Sequence, residues 1–349
     1  MRSLKIALTA DPEIPVPPVH YGGIERVVDM LARNLALRGH DVTLFAHPSS
    51  QCPVSRVGWS GANSLSPTDT IRNALALARE VARRGFDLVH SFSRLAYLAP
   101  ILPFSIPKLM SYQRQISPAT TRLAHRLSRG TLRFSAISRK MMRDVANVGE
   151  WRMIPNGVPV EDYEFRAVVA PDAPLVFLGR VEEIKGPHLA IEAAARAGRQ
   201  LIIAGNVPDA HRGWFDAHVA PKIDGRMVRY VGPVDDAEKS ELLGNAIALL
   251  MPVLWEEPFG IVMAEAMACG APVIGFRRGA VPEVVENGVT GFVVDDLDEM
   301  VDAILRVGAL DRAACRARVE RLYSGDAVTQ GYLGLYEDMM SLKRRHANR

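Results

Sequence analysis

The chain has 349 residues, which is about two domains' worth at roughly 150 residues per domain. Hydrophobic residues make up 48% of it and charged residues 23%, a composition that excludes a disordered, fibrous or collagen-like protein. The formal net charge of +3 is too small to indicate a nucleic-acid-binding protein by itself.

The composition also bears on the cellular compartment. No apolar run approaches the ~20 residues that a membrane-spanning helix needs, and the first residues lead directly into a strand-like run at 4–8. The three cysteines, Cys52, Cys269 and Cys315, are too few and too far apart for a disulfide framework or a zinc site. We therefore expect a cytoplasmic protein without a signal peptide.

Strand-like runs alternate with helix-like segments along the first half of the chain, a pattern typical of parallel sheets with helices on both faces. A proline-rich loop at 11–21 follows the first strand, and an amphipathic helix over 24–35 follows the loop. Further strands are predicted at 42–46, 88–90, 108–111 and 133–137.

A domain boundary is predicted between residues 155 and 174, where prolines and an Asn-Gly pair cluster. The alternation then restarts, with strands predicted at 175–178, 201–204, 227–231, 246–251, 272–276 and 292–294. Helices are predicted at 190–197, 237–245, 260–269, 281–286 and from 298 onward. We therefore predict two tandem doubly wound α/β domains that face a central cleft, because ligands of such folds bind beyond the carboxyl ends of the strands.

Two glutamates eight residues apart, Glu257 and Glu265, flank the start of one of these helices. The backbone N–H groups near Phe259, Gly260 and Ile261 lack partners inside the helix and suit a phosphate, while the carboxylates suit sugar and ribose hydroxyls. The alternative is a first-turn acid at Glu257 and a surface residue at Glu265. The apolar neighbours of Glu265 argue against this alternative, because an unpaired acid in a packed helix is costly.

Two cations, Arg180 and Lys185, follow the strand at 175–178. At that place they could stabilise the negative charge that develops on a leaving diphosphate. The alternative is a surface salt bridge with Glu182 or Glu183.

The first domain supplies further candidate residues at strand ends. Gly22 and Gly23 could let backbone N–H groups approach an anion, although a lone glycine pair is also common in a simple turn. His90 ends a strand and is either a functional ring at the cleft or a structural histidine. Gln113 and Arg114 follow the next strand and are acceptor contacts by position only.

The stretch from Glu257 to Glu265 resembles the E-x7-E motif of family 4 glycosyltransferases, which are retaining enzymes with the GT-B fold. Other segments resemble the family in order and spacing, namely 22–28, 154–158, 179–180 with 185–186, 279–285 and 288–294. The resemblance covers nearly the whole chain. It implies an acceptor-binding Rossmann-like domain at 1–160, a donor-binding one at 161–330, and a C-terminal helix at 331–349 that packs back on the first.

The resemblance also implies an activity: transfer of a sugar from a nucleoside diphosphate sugar to a hydroxyl acceptor, by a front-face route without a protein nucleophile. A UDP-sugar is favoured over GDP-mannose. Glu265 would hold the ribose and Glu257 the sugar hydroxyls. The diphosphate would be held by Gly22, Gly23, Arg180, Lys185 and the N–H groups of Phe259, Gly260 and Ile261. The candidate catalytic residues are Glu257, Arg180, Lys185 and His90.

One position departs from the family pattern. Family members commonly carry a second histidine two residues after His90, and this chain has Phe92 there. The substitution puts in doubt the role of that imidazole near the sugar and acceptor, where Phe92 would lie with Gln113 and Arg114.

A metal is not expected. Asp296 and Asp298 match the D-x-D pattern of metal-dependent glycosyltransferases, but they stand at a predicted helix start, where acids cap backbone N–H groups. The resemblance implies that the cation pair and the helix dipole replace the metal. We therefore predict neither a metal nor a cofactor.

Charge is concentrated in residues 101–150, where nine lysines and arginines stand against two acids, Asp144 and Glu150. Interleaved leucines give the segment an amphipathic pattern. The pattern indicates either a solvated helical face or contact with an anionic membrane surface or acidic acceptor. Peripheral contact with the inner face of a membrane is therefore one of two interpretations.

Two other function classes remain open at this point. A sugar-nucleotide-binding protein without catalysis could keep every donor contact, and a GT-B nucleotide-sugar epimerase would share the cleft but need no acceptor. Release of a nucleoside diphosphate in the presence of an acceptor distinguishes the transferase from both.

Overall fold

A computed structural model describes residues 2–19, 22–143 and 145–347, and the side chains of the last helix as far as residue 341. The chain forms two compact units, residues 1–156 with 325–349 and residues 157–324. The last residues of the loop expected at 11–21 and of the helix expected at 331–349 lie outside the described residues. Asp144, one of the two acids of the basic segment, also lies outside them.

In the described residues, the first unit contains a seven-stranded parallel sheet in the order β3-β2-β1-β4-β5-β6-β7. The strands are β1 (Lys5–Thr9), β2 (Asp41–Ala46), β3 (Ser55–Gly58), β4 (Leu88–Ser91), β5 (Lys108–Tyr112), β6 (Leu132–Ala136) and β7 (Trp151–Met153). The helices are α1 (Gly23–Leu37), α2 (Pro67–Arg84), α3 (Pro118–Leu127) and α4 (Arg139–Met142), with the chain-terminal α12 (Gly325–Ala347).

The second unit contains a six-stranded parallel sheet in the order β10-β9-β8-β11-β12-β13. Its strands are β8 (Leu175–Leu178), β9 (Leu201–Ala204), β10 (Val228–Gly232), β11 (Ala248–Met251), β12 (Val273–Phe276) and β13 (Gly291–Val294). Its helices are α5 (Pro187–Arg196), α6 (Arg212–His218), α7 (Asp236–Gly244), α8 (Ile261–Ala268), α9 (Val281–Val284), α10 (Leu297–Arg306) and α11 (Arg312–Leu322). The two predicted doubly wound α/β domains are thus confirmed.

Local sequence signals explain where several helices begin. Ser66 caps α2 and Ser117 caps α3, in both cases with a proline at the first helical position. Asp235 and Glu238 form a capping box at the start of α7. The Asp296 side chain accepts a hydrogen bond from the Glu299 N–H at 2.9 Å, which confirms the capping role predicted for that aspartate.

The last helix, α12, belongs to the first unit and packs beside α1. Its Tyr332 and Tyr336 side chains are buried, and both rings contact the His90 ring, Tyr332 at a tilt and Tyr336 edge-on. The helix begins at Gly325, six residues before the start expected from the sequence. No helix among the described residues combines the length and hydropathy required to cross a membrane.

A lysine is buried at the start of β5, where the sequence pattern predicts only a strand. The Lys108 ammonium donates hydrogen bonds to the backbone oxygens of Phe104 (2.7 Å) and Ile106 (2.9 Å), and no part of the residue is exposed. Burial penalises the charged form and lowers the pKa of Lys108 to about 7.

This burial predicts a pH-dependent stability. Between about pH 7 and 10.5 the unfolded chain keeps the Lys108 proton that the folded chain has released, so stability rises with pH by at most about 1.4 kcal/mol per pH unit. The difference in urea midpoint between wild type and Lys108→Met should therefore change across pH 7, 8, 9 and 10, in the direction that favours wild type at high pH. A difference that stays constant across this range would contradict the assignment.

Candidate functional site

The strand order of the second unit brings together two loops that are far apart in the sequence. Strands β8 and β11 are neighbours, and the strand order runs in opposite directions on either side of them. The loops that follow β8 and β11 therefore begin side by side at the carboxyl edge of the sheet. Open α/β sheets bind their ligands at such a point. Lys185 lies in the first loop and Glu257 in the second.

The two loops are held against each other by backbone contacts. The Leu254 N–H donates to the Ile184 oxygen at 2.8 Å. Gly186, with φ of 76°, lies so close to β11's end that a Cβ there would be 2.1 Å from the Pro252 oxygen. Only glycine fits this position, because both the left-handed backbone and the close approach exclude a side chain.

This contact places a lysine, a glutamate and a tryptophan in one cluster. The Lys185 ammonium donates to Glu257 Oε2 at 2.6 Å, and the Trp255 indole N–H donates to the same oxygen at 3.0 Å. The ammonium also lies 4.8 Å from the centre of the Trp255 ring, within cation–π range. In the described residues, both side-chain hydrogen bonds to Glu257 end on Oε2, and neither donor contacts Oε1.

The loop after β12 fixes the backbone of Glu257. The Ala280 N–H donates to the Glu257 oxygen at 2.8 Å, and the Gly279 N–H donates to Glu256 Oε2 at 2.8 Å. A Cβ at Gly279 would be 2.2 Å from the Glu257 oxygen. The loops that follow three strands, β8, β11 and β12, therefore all help to position the Glu257 carboxylate.

Glu265 lies on α8 in a second cluster of the same composition. Its Oε1 accepts hydrogen bonds from the Lys239 ammonium at 2.6 Å and the Tyr163 hydroxyl at 2.8 Å. The Lys239 ammonium lies 5.4 Å from the centre of the Tyr163 ring and also pairs with Asp236 at 3.0 Å. The Glu265 residue is only 7% exposed, so its burial is compensated by these partners. It is therefore not the surface residue of the alternative interpretation.

The start of α8 lies beside the first cluster. Gly260 is the N-cap residue with φ of 73°, and no side chain caps the helix. A Cβ at Gly260 would be 2.8 Å from Met263 Cε and 3.3 Å from Glu257 Cγ, so the glycine allows this close packing. Phe259 is buried and packs edge-on against Tyr323, while Ile261 is the first residue of the helix. The first-turn N–H groups predicted to bind phosphate are therefore next to the Glu257 carboxylate.

Arg180 does not join this cluster through its side chain. Its guanidinium pairs with Glu182 at 2.7 Å, and Glu182 also lies 3.3 Å from the His211 ring. Glu182 is 2% exposed. The salt bridge that the sequence left open as an alternative is thus formed by Arg180, whereas Lys185 pairs with Glu257 and not with Glu182 or Glu183.

In the first unit, the glycine pair marks the start of α1. Gly22 is its N-cap residue, Gly23 its first residue, and a Cβ at Gly22 would be 2.6 Å from Pro18 Cβ and 3.0 Å from Glu25 Oε2. Burial raises the pKa of the Glu25 carboxyl, and the nearby Asp11 acts in the same direction. The loop is therefore tightly packed over a buried acid.

His90 has the structural role that the sequence left open. The ring is fully buried, with Nδ1 2.6 Å from the Tyr336 hydroxyl and Nε2 2.7 Å from the Ser111 hydroxyl. Burial also moves the pKa of His90 well below its ordinary value. Phe92, expected near the acceptor, is 3% exposed and packs against His90 and Tyr332. Both residues are part of the interior, where side chains of α12 pack against them, so the structure does not support the catalytic role predicted for His90.

Gln113 and Arg114 lie at the carboxyl end of β5. The Arg114 guanidinium pairs with Asp11 at 2.7 Å, and burial raises the pKa of that aspartate although Arg114 opposes the rise. Gln113 is 9% exposed, and neither polar atom of its amide has a hydrogen-bond partner among the described residues. The structure thus places both residues directly after β5, and their contact with an acceptor stays a prediction.

Three residues of the two glutamate clusters were not predicted from the sequence. Trp255 stands beside the motif and could have been found as an indole donor two residues before Glu257, but nothing in the pattern marks Tyr163 or Lys239. Among the residues that the structure describes, no group of three or more His, Cys, Asp or Glu side chains is arranged to hold a metal ion.

Two family models match the chain, one in each unit. Residues 21–162 match the model described as Glycosyltransferase Family 4. Residues 173–309 match the model described as Glycosyl transferases group 1. Together they cover the first unit's glycine loop and both glutamate positions of the second.

Curated relatives match over most of their length. A glycogen synthase of Mycobacterium tuberculosis is 28% identical, with 88% of this chain and 88% of the relative covered. A phosphatidyl-myo-inositol mannosyltransferase of Mycolicibacterium smegmatis is 28% identical, with 90% of each covered.

Solved structures show the same fold. AviGT4, a glycosyltransferase involved in avilamycin A biosynthesis, is 25% identical with a TM-score of 0.76, covering 97% of this chain and 98% of that one. HepE of Anabaena in complex with UDP-glucose is 18% identical with a TM-score of 0.73, covering 97% of this chain and 99% of that one. The chain therefore belongs to the family 4 glycosyltransferases and has their GT-B fold.

Proposed function

We propose that this glycosyltransferase moves a sugar from a nucleoside diphosphate sugar to a hydroxyl acceptor with retention of anomeric configuration. The contact between Lys185 and Glu257 carries the proposal. It brings a cation, a carboxylate and the first turn of α8 to the diverging point of β8 and β11.

Each part of a nucleotide sugar has a matching group in the second unit. The Glu257 carboxylate would accept hydrogen bonds from sugar hydroxyls through Oε1, and Glu265 would accept them from the ribose. Lys185, Arg180 and the N–H groups at the start of α8 would bind the diphosphate. For this, Arg180 would leave its pair with Glu182, in which its side chain remains 35% exposed.

Catalysis would consist of positioning and charge stabilisation. As the bond between sugar and phosphate breaks, negative charge develops on the leaving diphosphate, where fixed cations and helix N–H groups stabilise it. The leaving phosphate would accept the acceptor's proton, so the side chains need not supply a nucleophile. We propose that these groups replace a metal, which predicts full activity in EDTA.

The donor that we favour is a UDP-sugar, with GDP-mannose second. The solved structure of HepE holds UDP-glucose on the same fold, which supports this choice. The hydroxyl acceptor would contact the first unit near Gln113 and Arg114, where an unsatisfied amide and a half-exposed guanidinium offer hydrogen bonds. We propose no role there for Phe92.

A nucleotide screen tests the donor class. Thermal denaturation with UDP, GDP, ADP and dTDP should show a rise in Tm with UDP that exceeds the others, because a ligand at 100 times its Kd stabilises by about 2.7 kcal/mol. The matching nucleotide sugar, incubated with hydroxyl acceptors, should then release nucleoside diphosphate and give a product whose anomeric proton signal shows retention. Binding without release would favour a sugar-nucleotide-binding protein, and a changed donor sugar without transfer would favour an epimerase.

The role of Lys185 is tested by comparing two ligands. Lys185→Gln should lower the affinity for UDP about ten- to hundredfold, because a charge-assisted hydrogen bond is lost, and should lower the affinity for UMP much less. Arg196→Gln, which removes an exposed cation of α5 in the same unit, is the matched control and should leave both affinities unchanged. Equal losses for UDP and UMP would contradict a contact with the second phosphate.

We also propose that α3 contacts an anionic lipid surface. Leu123 and Leu127 are 57% and 49% exposed, and three exposed arginines, Arg122, Arg126 and Arg129, lie beside them. Basic and apolar side chains on one exposed face suit the boundary between anionic headgroups and acyl chains. Two other cations of the segment are excluded from this surface, because Lys108 is buried and Arg133 pairs with Glu150.

Sedimentation with lipid vesicles tests this surface. The wild-type protein should bind phosphatidylglycerol vesicles and not phosphatidylcholine vesicles, and the triple reversal of Arg122, Arg126 and Arg129 to Glu should abolish binding. A reversal of Arg72, Arg79 and Arg83 on α2 is a control of equal charge. Equal vesicle binding by wild type and the variant with Arg122, Arg126 and Arg129 changed to Glu would contradict the proposal.

A further inference from the structure

The two glutamates of the donor site have the same surroundings. In each case a lysine and an aromatic hydrogen-bond donor bind a single carboxylate oxygen, and the lysine lies over the ring of that aromatic residue. The first set is Glu257, Lys185 and Trp255; the second is Glu265, Lys239 and Tyr163. We propose that Trp255 and Tyr163 are positioning residues that orient the two glutamates toward the sugar and the ribose.

The geometry supports positioning because only one oxygen of each carboxylate is used. Among the described residues, the side-chain hydrogen bonds to Glu257 end on Oε2 and those to Glu265 end on Oε1. Two donors on one oxygen fix the rotation of the carboxyl group. The other oxygen is thereby turned in a set direction, with its lone pairs left for a hydroxyl donor.

Each aromatic residue acts on both charged partners. The Trp255 N–H fixes the glutamate, and its ring face attracts the Lys185 ammonium at 4.8 Å. The Tyr163 hydroxyl and ring do the same for Glu265 and Lys239, with the ammonium at 5.4 Å. A side chain that lost only its N–H or O–H would keep the cation–π contact and release only the carboxylate.

This difference allows a selective test. Trp255→Phe and Tyr163→Phe each keep an aromatic ring and remove one hydrogen bond. The inference rests on the proposed function, in which Glu257 contacts the sugar and Glu265 the ribose. The two variants should therefore change different steps.

The experiment measures the affinity for UDP and for GDP by calorimetry. It also measures steady-state sugar transfer from UDP-glucose and from GDP-mannose. Tyr163→Phe should raise the Kd of the nucleotide about three- to tenfold, as expected for one lost hydrogen bond to a charged group. Trp255→Phe should leave that Kd within twofold and lower kcat/KM for the nucleotide sugar about three- to tenfold. Trp214→Phe, in the same unit and in contact with the His188 and His218 rings, should leave both values unchanged.

The outcomes separate this inference from the function on which it rests. If Glu257→Gln impairs transfer and Glu265→Gln impairs nucleotide binding while Trp255→Phe and Tyr163→Phe match wild type, the positioning roles are wrong and the donor site stands. If the glutamate variants also match wild type, the donor site itself is wrong. Equal losses of nucleotide affinity in both aromatic variants would indicate a general structural effect and overturn the inference.

Discussion

The second unit depends on the compensation of two buried carboxylates. Glu257 and Glu265 are each about nine-tenths buried, and an isolated buried carboxylate would be strongly destabilising. A lysine and an aromatic donor satisfy one oxygen of each, and removing one partner of such a buried pair typically costs about 3–5 kcal/mol. The same contacts that stabilise the fold hold one oxygen of each glutamate in place. The same hydrogen bonds therefore contribute to stability and set the orientation of the two carboxylates.

Close backbone contacts make the first of these pairs possible. Lys185 and Glu257 are 72 residues apart, and they meet because the loops after β8 and β11 touch at Gly186 and Pro252. Gly279 adds a second close contact from the loop after β12. Glycine loses more conformational entropy on folding than other residues do. At these positions, however, a Cβ would force the loops apart and separate the lysine from the carboxylate.

In the first unit, hydrogen bonds satisfy a buried histidine, His90. A fully buried imidazole requires a partner at each nitrogen, and the hydroxyls of Tyr336 and Ser111 supply them. Tyr336 comes from α12, the last helix of the chain, so the C-terminal segment completes the interior of the N-terminal sheet. Of the polar groups near the carboxyl edge, Arg114 keeps 58% of its side chain exposed, whereas His90 and Phe92 are buried in the interior.

By itself the sequence determined the two doubly wound domains and the division near residue 156, because strand and helix periodicity and proline-rich boundaries are local properties. It also placed Lys185, Arg180 and Gly260 after the correct strands. The short β3 and β7 were not found, since their patterns are brief, and α2 was missed although Ser66 and Pro67 mark its start. Which side chains pair was decided only by the tertiary structure. Tyr163 is 102 residues from Glu265, and Tyr336 is 246 residues from His90, so no local pattern records these contacts.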